Sequence, residues 1–254
     1  MINRKWKIKK SFYFLLVVVV MMAFIAFVEK KDMERPYRSL EVYVQGISEV
    51  YFVEESEIIK LLQNEFPSLK PGISLGEISL GKIEKKVESH PFVKNAEVFK
   101  DLKGHVVVKI EQHRPVARII RPSAAHGYIS AEGEILPTST HYTSRVMTVE
   151  GPMAEDLLQL GRLSGENKKI LELIHFIEKD DFWKAQIAGF EIDNKMNVNL
   201  YPQVGQEKIE FGRPVDIAEK FEKINLYYKE IRPVKGWKSY KRVNVKYKDQ
   251  IICE

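Results

Sequence analysis

The stretch FYFLLVVVVMMAFIAFV, Phe12 to Val28, sets the architecture of this chain. It holds no charge, no proline and no glycine. Arg4, Lys5, Lys7, Lys9 and Lys10 precede it without an acidic residue among them, and the mixed-charge residues 29–38 follow. About 17 residues rising about 1.5 Å each give roughly 26 Å, enough to cross the hydrocarbon of a bilayer when the flanks help. Trp6, Tyr13 and the lysine stems suit the interface. The positive-inside rule then keeps the short tail in the cytoplasm and sends the rest of the chain out. A cleaved signal peptide fits less well: the run exceeds the roughly 7–15 residues of an h-region, and Ala23 and Ala26 do not make A-x-A. A buried core helix lacks support because the run has no polar face. The expected layout is a cytoplasmic tail at 1–11, a transmembrane helix at 12–28 and a juxtamembrane linker at 29–38.

Working outward, the formal charge of +5 over 254 residues invites a nucleic-acid reading. Residues 1–10 carry all of it, so the remainder is neutral and the basic balance is a topology signal. No basic stripe with interleaved aromatics stands out, and no nucleic-acid partner is expected. Roughly 215 residues beyond the anchor suffice for two compact domains. Cys253 is the only cysteine, so an exported domain is held by its core without an intrachain disulfide. Its bland reading is a small apolar residue on the last strand.

Residues 39–47 (SLEVYVQGI) alternate like a strand. Ile58, Ile59, Leu61, Leu62 and Phe66 give a helical face stopped by Pro67. Leu80, Ile83 and Val87 mark a second helix, which His90-Pro91 must end because a residue before proline avoids the α region. Strands are expected at 93–100 and 105–111, joined around Lys103-Gly104. This β-α-α-β-β order predicts a small sheet with two helices on one side, over 39–112. The second domain, 113–254, reads as a mostly antiparallel sheet with flanking helices. Strands are expected at 116–120, 127–129, 145–149, 185–192, 196–200, 208–211, 242–247 and 251–253. Helices are expected at 168–178, with Ile170, Leu173, Ile174 and Ile177 on one face, and at 214–231, with Ile217, Phe221, Ile224 and Tyr228 in register. The fold class is therefore α+β behind a single N-terminal transmembrane helix.

Chemistry is hard to find. The six histidines form no H-x-H or H-E-x-x-H, and one cysteine leaves no zinc constellation, so no metal site is expected. Gly161-Arg162-Leu163-Ser164-Gly165 places its serine one position late for a nucleophile elbow and reads as a loop. There is no Walker loop and no G-x-G-x-x-G, hence no cofactor and no small-molecule substrate. Asp180-Asp181 reads as a solvated cap. A catalytic trio scattered through the fold stays open, since triads are set by geometry.

Several stretches resemble the FtsQ/DivIB cell-division family. They are VYVQGI (42–47), ISLGKIEKKVESHPFVKNAEV (78–98) and VVVKIEQHRPVARI (106–119), then more loosely YISAEGEILP (128–137), VEGP (149–152), FGRPVDIAEKFEKI (211–224) and YKRVNVKYKDQIIC (240–253). The likeness implies a POTRA domain followed by a β domain, and a non-enzymatic scaffold of the bacterial divisome at the septum of the inner membrane. It implies partners of the FtsB and FtsL kind, small coiled-coil proteins linked to septal wall synthesis. By motif position it puts the partner-binding surface at Val245, Tyr247, Asp249, Ile251 and Ile252. Tyr247 is the anchor expected there, with cross-strand packing as its other reading. Two alternatives remain: a membrane-anchored cell-wall enzyme, and a POTRA-type assembly or secretion factor, although too few residues follow Ile120 for a transmembrane barrel.

Overall fold

The computed structural model describes residues 10–45, 52–122, 126–139, 142–236 and 239–254. The basic tail ahead of Lys10 and the end of the first predicted strand, Gly46 and Ile47, lie outside the described residues. Contacts divide the chain into two units, Met1–Gln45 with Val53–Glu111 and Gly46–Phe52 with Gln112–Glu254.

The first unit begins with α1 (Lys10–Met33), the one helix among the described residues that is long and apolar enough to cross a membrane. It outlasts the apolar run because Glu29, Lys30 and Lys31 are good helix formers, and the two lysines suit the negative end of the helix dipole. Residues 34–38, expected as a linker, are tied down. The backbone N–H of Tyr37 donates to Ile73 O (2.7 Å), that of Gly72 to Tyr37 O (2.8 Å), and that of Leu75 to Arg35 O (2.9 Å).

Beyond them come β1 (Leu40–Gln45), α2 (Glu55–Glu65), α3 (Leu80–Glu88), β2 (Val93–Lys100) and β3 (Val106–Gln112). The order is the expected one, and α3 stops just before His90-Pro91. The sheet runs β1-β3-β2, with β1 parallel to β3 from Leu40 opposite Val106. Ile58 and Leu62 of α2 and Ile83 and Val87 of α3 are buried, together with Val42, Val106, Val108 and Ile110 of the sheet. The apolar face of each helix thus closes on one sheet face, which is why the 3.6-residue period was readable.

The second unit is built on a nine-stranded sheet: β4 (Pro115–Ile119), β5 (Gly127–Ser130), β6 (Ile135–Leu136), β7 (Met147–Glu150), β8 (Ile187–Ile192), β9 (Val198–Pro202), β10 (Lys208–Gly212), β11 (Arg242–Asn244) and β12 (Ile252–Cys253). Their spatial order is β12-β11-β10-β9-β8-β7-β4-β5-β6. The sheet is mixed. β4–β7, β7–β8 and β10–β11 are parallel, and the other neighbouring pairs are antiparallel. The helices are α4 (Pro152–Leu157), α5 (Lys168–Lys179), α6 (Asp181–Gln186), α7 (Ile217–Leu226) and α8 (Arg232–Lys235).

Helices α5, α6 and α7 press Ile170, Leu173, Ile174, Ile177, Trp183, Phe221 and Ile224 into one core with Phe190, Leu200, Ile209 and Phe211 of the sheet. Phe221 is the hub of this packing. Its ring lies 4.7 Å from Phe176, 4.8 Å from Trp183 and 5.4 Å from Phe211, in the range where aromatic pairs attract.

Three local features go beyond the sequence reading. Gly151-Pro152, which follows the strand expected at 145–149, starts α4: Gly151 sits at φ +99° and Pro152 takes the first helical turn. Residues 181–186 are α6, which takes the first two positions of the strand expected at 185–192, because the Asp180 carboxylate accepts from the N–H groups of Phe182 (2.9 Å) and Trp183 (3.1 Å) and starts a helix there. The helix expected at 214–231 turns π over Tyr227–Ile231 before α8. Pro233 has no N–H to donate back to Lys229, and the wider turn absorbs the loss. It also brings Tyr227 into the core beside the expected Tyr228.

Candidate partner-binding edge

Of the residues expected to meet a partner, Ile252 lies on β12, and Val245, Tyr247, Asp249 and Ile251 lie on the connection between β11 and β12. Two register pairs hold these strands together, Val243 with Cys253 and Asn244 with Ile252. Next to them the Glu254 N–H donates to Arg242 O and the Arg242 N–H to Glu254 O, both at 2.9 Å. An antiparallel ladder alternates, so the N–H and C=O groups of Cys253 and Ile251 point away from β11. β12 is the edge of the sheet, and these groups line its open side.

Side chains alternate as well. Ile251 and Cys253 pack against the core, whereas Ile252 is 38% exposed and Glu254 lies in solvent. Burial pushes the Cys253 thiol above its ordinary range, which keeps it protonated and suits the small apolar residue expected there.

Val245 departs from the expectation. It is fully buried in the core, so its side chain is not offered to a partner, and its N–H donates to Glu210 O (3.1 Å). Nor does the strand continue to Tyr247. The Asn244 side-chain oxygen accepts the Lys246 N–H (3.0 Å), a local turn that competes with the ladder and ends β11. Tyr247 therefore sits on the turn, 55% exposed, and Lys223 Nζ holds its carbonyl from α7 at 2.7 Å. Asp249 is exposed and takes a left-handed φ of +55°, which aspartate tolerates better than most residues. Tyr247, Asp249 and Ile252 thus share the accessible rim, and Ile251 backs it from the core side.

The composition of the sheet face at this end was not foreseen. Glu210 meets Lys246 Nζ (2.8 Å) and Arg242 Nε (3.5 Å), and Arg242 reaches Glu254 (2.7 Å). Two strands further in, on β8, Glu191 accepts from the Tyr201 hydroxyl (2.8 Å) and pairs with Lys208 of β10 (3.3 Å). Lys246 holds the Glu210 carboxyl below the ordinary range, and the Tyr201 hydroxyl does the same for Glu191. Burial and then Glu191 push Tyr201 up to about 12. Alternating charge at positions 208, 210, 242, 246 and 254 is the signal that could have revealed this ladder.

Elsewhere in the unit, a concavity of about 800 Å³ is lined by Arg114, Arg145, Glu178 and Lys184 among others. The Arg114 guanidinium is bonded through both terminal nitrogens to Glu178, with Nη2 at 3.0 Å. Among the described residues no group of histidine, cysteine, aspartate and glutamate side chains is arranged to hold a metal ion.

Residues 114–254, more than half of the chain, match the family described as FtsQ/DivIB, C-terminal related. The chain belongs to the FtsQ/DivIB family. Residues 37–111 match the POTRA-like domain, in agreement with the β-α-α-β-β module of the first unit. No curated protein matches the chain. FtsQ/DivIB membership ties the protein to cell division and fits a divisome-associated scaffold, and α1 fits a single pass through the membrane.

Proposed function

We propose that this FtsQ/DivIB protein is a non-enzymatic, single-pass scaffold of the divisome. Its basic tail stays in the cytoplasm and its two folded units lie outside the membrane at the septum. The β12 end captures small coiled-coil division proteins of the FtsB and FtsL kind and so couples them to septal wall synthesis. The observation that carries this reading is the open side of β12. A row of outward N–H and C=O groups lies beside the exposed side chains of Tyr247 and Ile252, the arrangement through which an extended segment adds to a sheet. An aromatic side chain beside an open strand supplies the anchor that main-chain bonds alone lack.

Two measurements test the proposal. A fluorescent fusion of the full chain is expected at mid-cell, with filamentation on depletion; uniform membrane fluorescence with normal division contradicts it. Co-purification of FtsB- and FtsL-like proteins with the full chain is expected to depend on Ile251–Glu254. Undiminished recovery after their deletion removes the β12 edge from the proposal.

A further inference from the structure

In the first unit, the turn between β2 and β3 lies at the end of the sheet where the anchor arrives. β1 leaves the linker at Leu40 and runs parallel to β3, which starts opposite it at Val106. The turn ahead of β3, residues 101–105, must therefore stand beside the linker, and the bonds show that it does. Arg35 Nη1 donates to Leu102 O (2.8 Å) and the Arg38 N–H to Gly104 O (2.9 Å). Gly104, at φ +95°, comes so close to the linker that a Cβ there would lie 2.6 Å from Pro36 O. The end of α1 is fastened to the same side of the unit, since Ser74 Oγ donates to Met33 O (2.6 Å).

Distance along the helix gives the depth. The apolar run of α1 ends at Val28, and the stretch long enough to cross the membrane, Phe12–Lys31, closes on the charged residues Glu29, Lys30 and Lys31. Arg35 lies four residues further, two of them past the end of α1 at Met33, which places it about 6–8 Å on, where the headgroup layer is roughly 5–7 Å thick on each side. Arg35 and the turn it holds thus lie at headgroup level. The tip of that turn is apolar: Leu102 is 83% exposed, and no evident packing role in the unit explains it. Beside it stand exposed Lys103 and Arg38, and exposed Lys70 lies on the loop that the linker also binds. Asp101, the acidic neighbour, turns its carboxylate inward to the N–H groups of Lys103 (2.9 Å) and His105 (2.7 Å).

We infer that the β2–β3 turn is a membrane-contacting tip, in which Leu102 enters the boundary between headgroups and acyl chains while Lys103, Lys70 and Arg38 face lipid phosphates. An exposed leucine among cations, held at that depth, matches the chemistry of an interfacial anchor. The anchor helix and the tip then give the POTRA-like unit two points of attachment, which fixes its tilt on the bilayer. The inference rests on α1 spanning the membrane and not on any partner, and resistance of the full chain to alkaline extraction checks that condition separately.

The test uses the full chain with Cys253→Ser, reconstituted in phosphatidylethanolamine–phosphatidylglycerol vesicles. A single cysteine carrying an environment-sensitive fluorophore is placed at Leu102→Cys or, as reference, at Asn95→Cys. Asn95 is exposed on β2, about 20 Å away along the strand. Shallow spin-labelled lipids are expected to quench the Leu102 site at least threefold more than the Asn95 site, while aqueous iodide shows the reverse order. Equal quenching at the two sites overturns the inference. In a second variant, four Gly/Ser residues inserted between Glu34 and Arg35 release the fastening. Lipid quenching at Leu102 is expected to fall at least twofold, and unchanged quenching also overturns the inference, because the tip would then not be placed by the linker.

Discussion

The two ends of the nine-stranded sheet are finished in opposite ways. At the β6 end the chain closes its own edge. The Ile135 N–H donates to Gly161 O (3.0 Å), Glu134 bridges Arg162, and Leu163 is buried behind them with its N–H on Gly133 O (2.8 Å). At the β12 end no such loop returns among the described residues, and the last strand is only two residues long. The same domain therefore has the means to cover an edge and uses it on one side. Short strands and charged neighbours are the usual protection of an edge that stays open, and Arg242, Lys246 and Glu254 supply the charges here.

The largest test of this contrast is deletion of Ile251–Glu254. It is expected to lower capture of FtsB-like partners at least 100-fold, about 3 kcal/mol, as read by titration of the purified full chain. Circular dichroism is expected to retain the signal of the POTRA-like unit. The opposite end gives the complementary result. Leu163→Ala is expected to cost about 2–4 kcal/mol of stability in chemical denaturation, because a buried leucine is lost under the covering loop, while partner affinity stays within twofold. A loss of affinity there would mean that the two edges are not distinct in role.

Tyr247→Ala sharpens the contrast further. An exposed anchor is expected to give up about 2 kcal/mol of partner affinity with less than about 0.5 kcal/mol of stability. Equal losses in both would instead mark Tyr247 as a packing residue. The smallest effect is on pH. The carboxyl groups of Glu210 and Glu191 are held below their unfolded values, near ~4.3 for glutamate. Their contribution to stability is thus complete above that value and is lost as pH falls through the folded values. Thermal melting is expected to weaken below about pH 4, and Glu210→Gln is expected to flatten that acid limb.

The legibility of the molecule in its sequence follows from which interactions are local. The POTRA-like unit was readable because each helix stripe, the Pro91 stop and the turn at Lys103-Gly104 act within a few residues. The strand order of the second unit was not. The placement of β7 between β4 and β8 depends on pairings far apart in the chain, to which alternation is blind. At the β12 end of the sheet, Val243, Val245 and Tyr247 alternate like one strand. The deciding competitor is a single polar side chain, Asn244, which captures the next free N–H and turns the backbone after it. Position in the motif located the rim, and only packing separated buried Val245 from exposed Tyr247.

The parallel union of β10 and β11 has a dynamic result. β11 reaches its place only after residues 213–241 have closed a connection of about 30 residues, and three register pairs then hold it. The β8–β9 hairpin, by contrast, forms five pairs across a short turn. The terminal pair of strands is thus expected to open more readily than the β8–β9 hairpin, and the amide hydrogen of Val243 is expected to exchange with solvent ahead of that of Phe190. A strand added to β12 damps that opening. Occupancy would then be felt as slower exchange one strand inward, on β11, at residues the guest never touches.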